Sequence, residues 1–265
     1  MVCLEIDGQK IEVEDRTTVL EAAHRLNIAI PTYCHLEELK PYGACRLCVV
    51  ETLIDGKSRF QSSCSLPVAE GMIIKTNSEP IVKGRKVLLE LYLARCPQVK
   101  KVRELGEQYG VTETRFKVFS KTEDCILCGL CVRACDELVG AQAIDFVGRG
   151  TDRKVDVPFE RLWDRCVACG ACTYLCPTGH IQNEARRVAQ LRRHSGVLRK
   201  CRYMLMGAVS NKICPKNYEC LRCEYDQRTE YSLGKHAALA IRLAQREISH
   251  QQGIRRKNGA SKHND

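Results

Sequence analysis

Four thiols fall within the eleven residues of CILCGLCVRAC (Cys125, Cys128, Cys131, Cys135). The same CxxCxxCxxxC spacing returns after thirty residues in CVACGACTYLC (Cys166, Cys169, Cys172, Cys176). A CxxCxxC run wraps the chain around one cubane and sets three sulfurs on three iron corners. The fourth corner lies beyond reach of the next residues. In proteins with two such clusters the fourth cysteine of each run ligates the other cluster. The spacing therefore assigns one [4Fe–4S] cluster to Cys125, Cys128, Cys131 and Cys176, and a second to Cys166, Cys169, Cys172 and Cys135. Gly129 and Gly170 keep backbone amides close to the sulfurs. Pro177 follows the second run, whereas Asp136 follows the first. Zinc, the competing metal, prefers two CxxC halves.

Two further sets stand apart. Cys34, Cys45, Cys48 and Cys64 read C-x10-C-x2-C-x15-C. Three thiolates on one loop and a fourth from a later strand is how plant-type [2Fe–2S] centres are held, although their first gap is shorter. Zinc is the alternative there too. Cys201, Cys214, Cys220 and Cys223 lie within 23 residues and end in a CxxC knuckle. They form a four-cysteine metal module that suits zinc, with a further [4Fe–4S] cluster as the alternative and redox dithiols or plain buried cysteines as the bland reading. Cys3 is expected in a strand core and Cys96 as a small buried thiol. His24, His35 and His180 carry no ligand signal. KGRK (83–86) is too short for a phosphate site, and no GxGxxG, P-loop or GxSxG occurs.

The elements that must position these thiols follow from pattern. VCLEI turns at Asp7-Gly8 into KIEVE, a hairpin. Thr17 is placed to cap TVLEAAHRLN, whose Val19, Ala22, Ala23 and Leu26 recur at helical spacing. Strands follow in LCVVETLI, after a turn at Asp55-Gly56 in RFQSSC, and in MIIKT. Two strands, a helix, then strands returning to the first hairpin make a β-grasp. Residues 79–109 read as helices broken near Pro97, with Val87, Leu88, Leu91 and Leu93 as the buried face. AIDFVG and KVDVPFE are short strands between the two cysteine runs. Residues 231–250 read as an amphipathic helix before a disordered end. The fold class is α+β, in five segments: a β-grasp [2Fe–2S] ferredoxin domain at 1–78, a helical connector at 79–120, a two-cluster [4Fe–4S] ferredoxin-like domain at 121–190, the small four-cysteine metal module at 191–226, and a C-terminal helix with basic tail at 227–265.

Bulk properties narrow the class. The 265 residues carry 18 cysteines, 6% aromatic residues and a formal charge of +10. Metal–thiolate bonds must then supply much of the folding energy. Three tetrathiolate clusters, each about −2 when oxidised, bring the net charge to about +4, so the basicity is largely ligand compensation. The remainder clusters in QLRRHSGVLRKCR (190–202) and GIRRKNGASKH (253–263). With no apolar signal region and no 18-residue apolar run, the chain is expected to be cytoplasmic without a membrane span. Such a compartment disfavours disulfides.

At PTYCHLEELKPYGACRLCVVE, QSSCSLPVAEGMIIKT, CILCGLCVRAC and CVACGACTYLCPTGHI the chain resembles the iron–sulfur electron-transfer subunits of NAD-linked oxidoreductases. These include the amino-terminal region of the complex I large peripheral subunit and the diaphorase iron–sulfur subunit of bidirectional NAD-linked hydrogenases. The resemblance covers about residues 1–180. It implies one [2Fe–2S] and two [4Fe–4S] clusters, and a subunit without bond-making chemistry of its own. It also implies two partners, a flavin/NAD(P)H-binding subunit and a separate catalytic oxidoreductase subunit of hydrogenase, formate dehydrogenase or complex I type. The family usually has a further cluster with one histidine and three cysteine ligands. The matching stretch here holds only Cys96, so no cluster is expected there. Competing readings are a stand-alone ferredoxin-like carrier or redox sensor, and a zinc-dependent nucleic-acid binder, which the cubane motifs disfavour.

Overall fold

The computed structural model describes residues 1–54, 57–118, 120–158, 165–181 and 183–240. It divides into two compact units, Met1–Cys128 and the residues from Gly129 onward.

The first unit begins with the expected hairpin. β1 (Val2–Ile6) pairs antiparallel with β2 (Gln9–Val13). Asp7 and Gly8 both adopt positive φ, 49° and 83°, as a two-residue turn matched to strand twist requires. Thr18, one residue beyond the predicted Thr17, caps α1 (Val19–Arg25). Its hydroxyl accepts from the Glu21 amide while the Glu21 carboxylate accepts from the Thr18 amide. The reciprocal bond with Glu21 is what selects Thr18, since the box needs the acid three residues on. β3 (Val49–Ile54), β4 (Lys57–Ser62) and β5 (Ile73–Lys75) complete a five-stranded sheet in the order β2-β1-β5-β3-β4. Among the described residues only the β1–β5 contact is parallel, as the helical crossover between the hairpin and the later strands demands. The turn expected at Asp55-Gly56 lies outside the described residues. Leu4, Ile6, Val13, Val50 and Ile74 bury one face of this sheet against Val19, Leu20, Ala22 and Ala23 of α1. Cys3 points the other way on β1 and is exposed, contrary to its expected place in the core. Strand alternation puts it opposite Leu4.

α2 (Glu79–Arg95) and α3 (Lys100–Gln108) flank Pro97 as predicted. The buried face of α2 differs in part from the expected one: Leu93 is buried as expected and Leu88 half-buried. Ile81, Arg85, Leu89 and Leu93 turn inward at i, i+4 spacing, while Val87 and Leu91 are exposed. An arginine occupies a place in an apolar stripe, so a reading by hydrophobicity alone misplaces part of the face. Cys96 caps α2 and is fully buried.

In the second unit α4 (Leu130–Arg133) runs into a π-helical turn, Ala134–Val139, and β6 (Asp145–Val147) pairs antiparallel with β7 (Lys154–Asp156). α5 (Ala171–Leu175) and α6 (Asn183–Leu191) follow, then α7 (Arg202–Leu205) and α8 (Glu224–Leu233). The continuous helix predicted over 231–250 is corrected. α8 starts at Glu224 and stops at Gly234, whose φ of 64° is a left-handed C-cap. A helical stretch resumes at 237 to 240, and the remainder of that prediction and the basic tail lie outside the described residues. Among the described residues no helix is long and apolar enough to cross a membrane.

Candidate metal centres

In the first unit Cys34, Cys45, Cys48 and Cys64 are all buried between the sheet and the loops that precede β3 and follow β4. They sit as two close pairs. The Cys34 thiol hydrogen-bonds that of Cys45, and the Cys64 thiol that of Cys48. Within each pair one sulfur keeps the proton for the other. The shared bond raises Cys34 and Cys64 and, against the effect of burial, lowers Cys45 and Cys48. Two thiolates per metal, on two adjacent metals, is the donor set of a binuclear iron centre. A single zinc would instead gather all four sulfurs about 3.8 Å apart. Among the described residues no three of these sulfurs lie within 4.8 Å of one another.

The backbone supports the same sulfurs. The Tyr33 amide donates to Cys45 Sγ at 3.4 Å and the Cys45 amide to Cys34 Sγ at 3.3 Å. Arg46 has φ 60°, a left-handed conformation that lets the chain reverse between Cys45 and Cys48. Tyr92 on α2 donates to the Cys45 carbonyl at 3.2 Å, and its ring meets Tyr33 edge-on at 5.2 Å. Burial pushes both phenols up, so they stay neutral beside the thiolates.

Arg85 is the positioning residue that motif reading passed over inside KGRK. It is 1% exposed and clamps both neighbours of Cys48. Its Nε donates to the Leu47 carbonyl at 2.9 Å and its Nη2 to the Val49 carbonyl at 3.0 Å. Nη1 reaches Asn77 Oδ1 at 2.8 Å and the Tyr109 hydroxyl at 3.3 Å. The available signal was its i, i+4 register with Ile81 and Leu89.

In the second unit Cys135, Cys166, Cys169 and Cys172 line one cavity, together with Ala141, Ala143, Ile144 and Ala171. Cys135 sits in the π-helical turn, a local widening frequent at functional sites. The Ala143 amide donates to its sulfur at 3.2 Å. Burial raises Cys135 and pushes Cys169 up to about 12, so metal entry must displace protons.

The two CxxCxxC runs share a backbone signature. Leu127 and Ala168 both have φ 52°, and Gly129 and Gly170 have φ 75° and 84°. Left-handed non-glycine residues at equivalent places cost of order 1–3 kcal/mol each, and persist only where the surroundings require that backbone. Cys125 and Cys128 are buried at the end of the first unit, Cys131 is buried in α4, and Cys176 is partly exposed after α5. Burial acts to raise Cys176, but hydrogen bonds led by that from the Thr178 hydroxyl outweigh it and lower this thiol.

Cys201, Cys214, Cys220 and Cys223 line another cavity of the second unit. Cys96 stands alone in its stretch, its thiol pushed up to about 12 by burial.

Residues 1–79 match the 2Fe-2S iron-sulfur cluster binding domain family, and residues 124–180 the 4Fe-4S dicluster domain family. The chain is 36% identical over 208 residues to an NADH-quinone oxidoreductase subunit of Rhizobium meliloti (strain 1021), covering 69% of this chain and 24% of that protein. It is 36% identical over 202 residues to the alpha subunit of NADPH-Fe(3+) oxidoreductase of Geobacter sulfurreducens (strain DL-1 / KN400), covering 68% and 24%. The matched part is thus about a quarter of the length of these curated relatives. A chain in the crystal structure of NAD+-reducing [NiFe]-hydrogenase in the H2-reduced state superposes with a TM-score of 0.59 at 31% identity, over 67% of this chain and 85% of that one. With both cluster-domain families matched and 85% of a solved relative covered at 31% identity, the chain belongs to the iron–sulfur electron-transfer subunits of NAD-linked oxidoreductases.

Proposed function

We propose that this chain relays electrons between a flavin- and NAD(P)H-binding subunit and a separate catalytic oxidoreductase subunit in the cytoplasm. One [2Fe–2S] centre would be held by Cys34, Cys45, Cys48 and Cys64. Two [4Fe–4S] clusters would be held by Cys125, Cys128, Cys131 and Cys176, and by Cys135, Cys166, Cys169 and Cys172. The observation that carries the reading is the meeting of Cys135 from one run with Cys166, Cys169 and Cys172 from the next around one cavity. A chain built to hold isolated clusters has no need to trade its fourth ligand between runs. Trading it ties the two clusters together as neighbours, which serves passage of electrons between them.

The clusters supply reversible one-electron chemistry when bound. The protein's own part is to hold, shield and tune. Amides of Tyr33, Cys45 and Ala143 aimed at ligand sulfurs stabilise added negative charge on the thiolates and so favour the reduced state. The neutral Tyr33 and Tyr92 and the apolar wall of Ala141, Ala143, Ile144 and Ala171 limit water, which favours the state of lower charge. These opposed influences set the working potentials.

Anaerobic affinity isolation from the native host tests the reading. The expected result is stoichiometric co-purification of a flavoprotein and a catalytic chain, with this chain carrying at least about ten irons. Isolation as a monomeric carrier would refute the relay in favour of a free ferredoxin-like protein.

A further inference from the structure

Resting on the electron-relay reading, we infer that Cys201, Cys214, Cys220 and Cys223 hold a further [4Fe–4S] cluster rather than zinc, and extend the chain's cluster series beyond the ferredoxin-like pair. The two matched families end at residue 180, so nothing in them reaches these thiols.

The local chain is built to present four sulfurs to one space. The Cys201 amide donates to the Lys212 carbonyl and the Cys214 amide to the Arg199 carbonyl, both at 2.8 Å, around an antiparallel bridge between Lys200 and Ile213. This sets Cys201 and Cys214 on neighbouring backbones. Asn217 and Tyr218 then take positive φ in succession, 50° and 62°, which turns the Tyr218 amide onto Cys214 Sγ at 3.2 Å. The Tyr218 hydroxyl closes the loop on the Lys200 carbonyl at 3.0 Å. Cys220 and Cys223 bracket a 3-10 turn, and Cys223 caps α8.

Three observations choose iron–sulfur over zinc. Zinc with Zn–S bonds of about 2.3 Å requires sulfurs about 3.8 Å apart. Here all four thiols face one cavity, yet no three of them lie within 4.8 Å of one another. The spread suits ligands that each meet a different corner of a larger body. The site also resembles the one formed by Cys135, Cys166, Cys169 and Cys172, since each is a space walled by four cysteine side chains. Finally, Cys214 and Tyr218 belong to the same apolar cluster as Ala168, which lies between Cys166 and Cys169. The two sites therefore share packed side chains within one unit, the arrangement an electron path needs and a purely structural zinc does not. Beneath the cavity Arg202 is buried in direct contact with Asp226 and 3.2 Å from Glu230, which anchors α7 to α8 and brings positive charge near a dianionic cluster.

The test uses the full chain, produced anaerobically with its clusters and assayed for iron, acid-labile sulfide and zinc. The expected content is about fourteen irons and fourteen sulfides with no stoichiometric zinc. In the Cys220→Ser/Cys223→Ser double variant about four irons and four sulfides are lost. After dithionite its integrated paramagnetic resonance falls by one spin while the remaining signals persist. Cys3→Ser, which alters an exposed thiol, leaves the iron count unchanged. About ten irons with one zinc in the unaltered chain would overturn this inference and leave the relay standing. About ten irons without zinc would equally overturn it. A count far below ten would bring down the relay itself. The wild-type stoichiometry decides even where the double variant fails to fold.

Discussion

Replacing Arg85 by methionine is the sharpest probe of how the first unit holds its thiols. The side chain is 1% exposed, and all four of its hydrogen-bond partners are neutral: the Leu47 and Val49 carbonyls, Asn77 and Tyr109. Methionine fills similar length without donors. It orphans the carbonyls on either side of Cys48, and each buried unsatisfied acceptor costs about 1–3 kcal/mol. Relief of the buried guanidinium's own desolvation offsets part of this. The net loss expected is about 3 kcal/mol, or about 10 °C in the midpoint of a unit this size. Arg85→Lys keeps the charge but loses the planar fork that reaches Leu47 and Val49 together, so it is also destabilised. Scanning calorimetry on anaerobic cluster-loaded protein reads the midpoint, and paramagnetic resonance reads the [2Fe–2S] signal. That signal is expected to broaden or shift in both variants, because the Cys48 backbone loses its clamp. An unmoved midpoint with an unchanged signal for Arg85→Met would refute the assignment of Arg85 as the residue that positions Cys48.

Other outcomes follow from single contacts. A Cβ at Gly106 in α3 would lie 2.5 Å from the Val111 carbonyl oxygen, so Gly106→Ala is expected to destabilise by about 1–3 kcal/mol. Gly84 in α2 faces open space, and Gly84→Ala is expected to stabilise by about 0.5–1 kcal/mol in the same denaturation assay. Burial, then the Arg202 charge, holds His236 at about 4 against its ordinary 6.5, with Tyr174 stacked on it at 4.9 Å, Glu230 at 3.7 Å and the Asp226 charge opposing. The folded state then binds fewer protons than the unfolded state between those values, so acidifying from pH 7 to 5 is expected to cost the second unit about 2 kcal/mol. His236→Asn, which keeps an acceptor for the Ala238 amide, removes that dependence. An equally steep acid loss in the variant would refute it. Cys135→Ala is expected to strip about four irons while sparing the [2Fe–2S] resonance. Loss of that resonance instead would refute the ligand assignment.

The most local features were legible in the sequence. Asp7-Gly8 encodes its hairpin because few residues tolerate two successive positive φ values. The CxxCxxC runs announce clusters because that ligand geometry is local to the run itself. The cap falls on Thr18 rather than the expected Thr17 because its partner Glu21, though present in the sequence, has to be read together with the cap. The inward face of α2 was legible only in part, at Leu93, because Arg85 is buried by hydrogen bonds with residues up to 38 positions away, which no hydrophobic period records. Gly234 stops α8 through a left-handed cap that a helical apolar pattern conceals.

The residue types alone pointed to metal chemistry through thiolates, since 18 cysteines at these spacings favour little else. How those sulfurs sit relative to one another within each set was decided only in three dimensions. The pairing of Cys34 with Cys45 and of Cys48 with Cys64 depends on how loops before β3 and after β4 pack on the sheet. Spacing had already grouped Cys135 with Cys166, Cys169 and Cys172, but the cavity they share, and the placing of the four thiols after residue 200 around one space, depend on packing. Ligand chemistry is carried by each side chain, but the distances between ligands belong to the folded backbone.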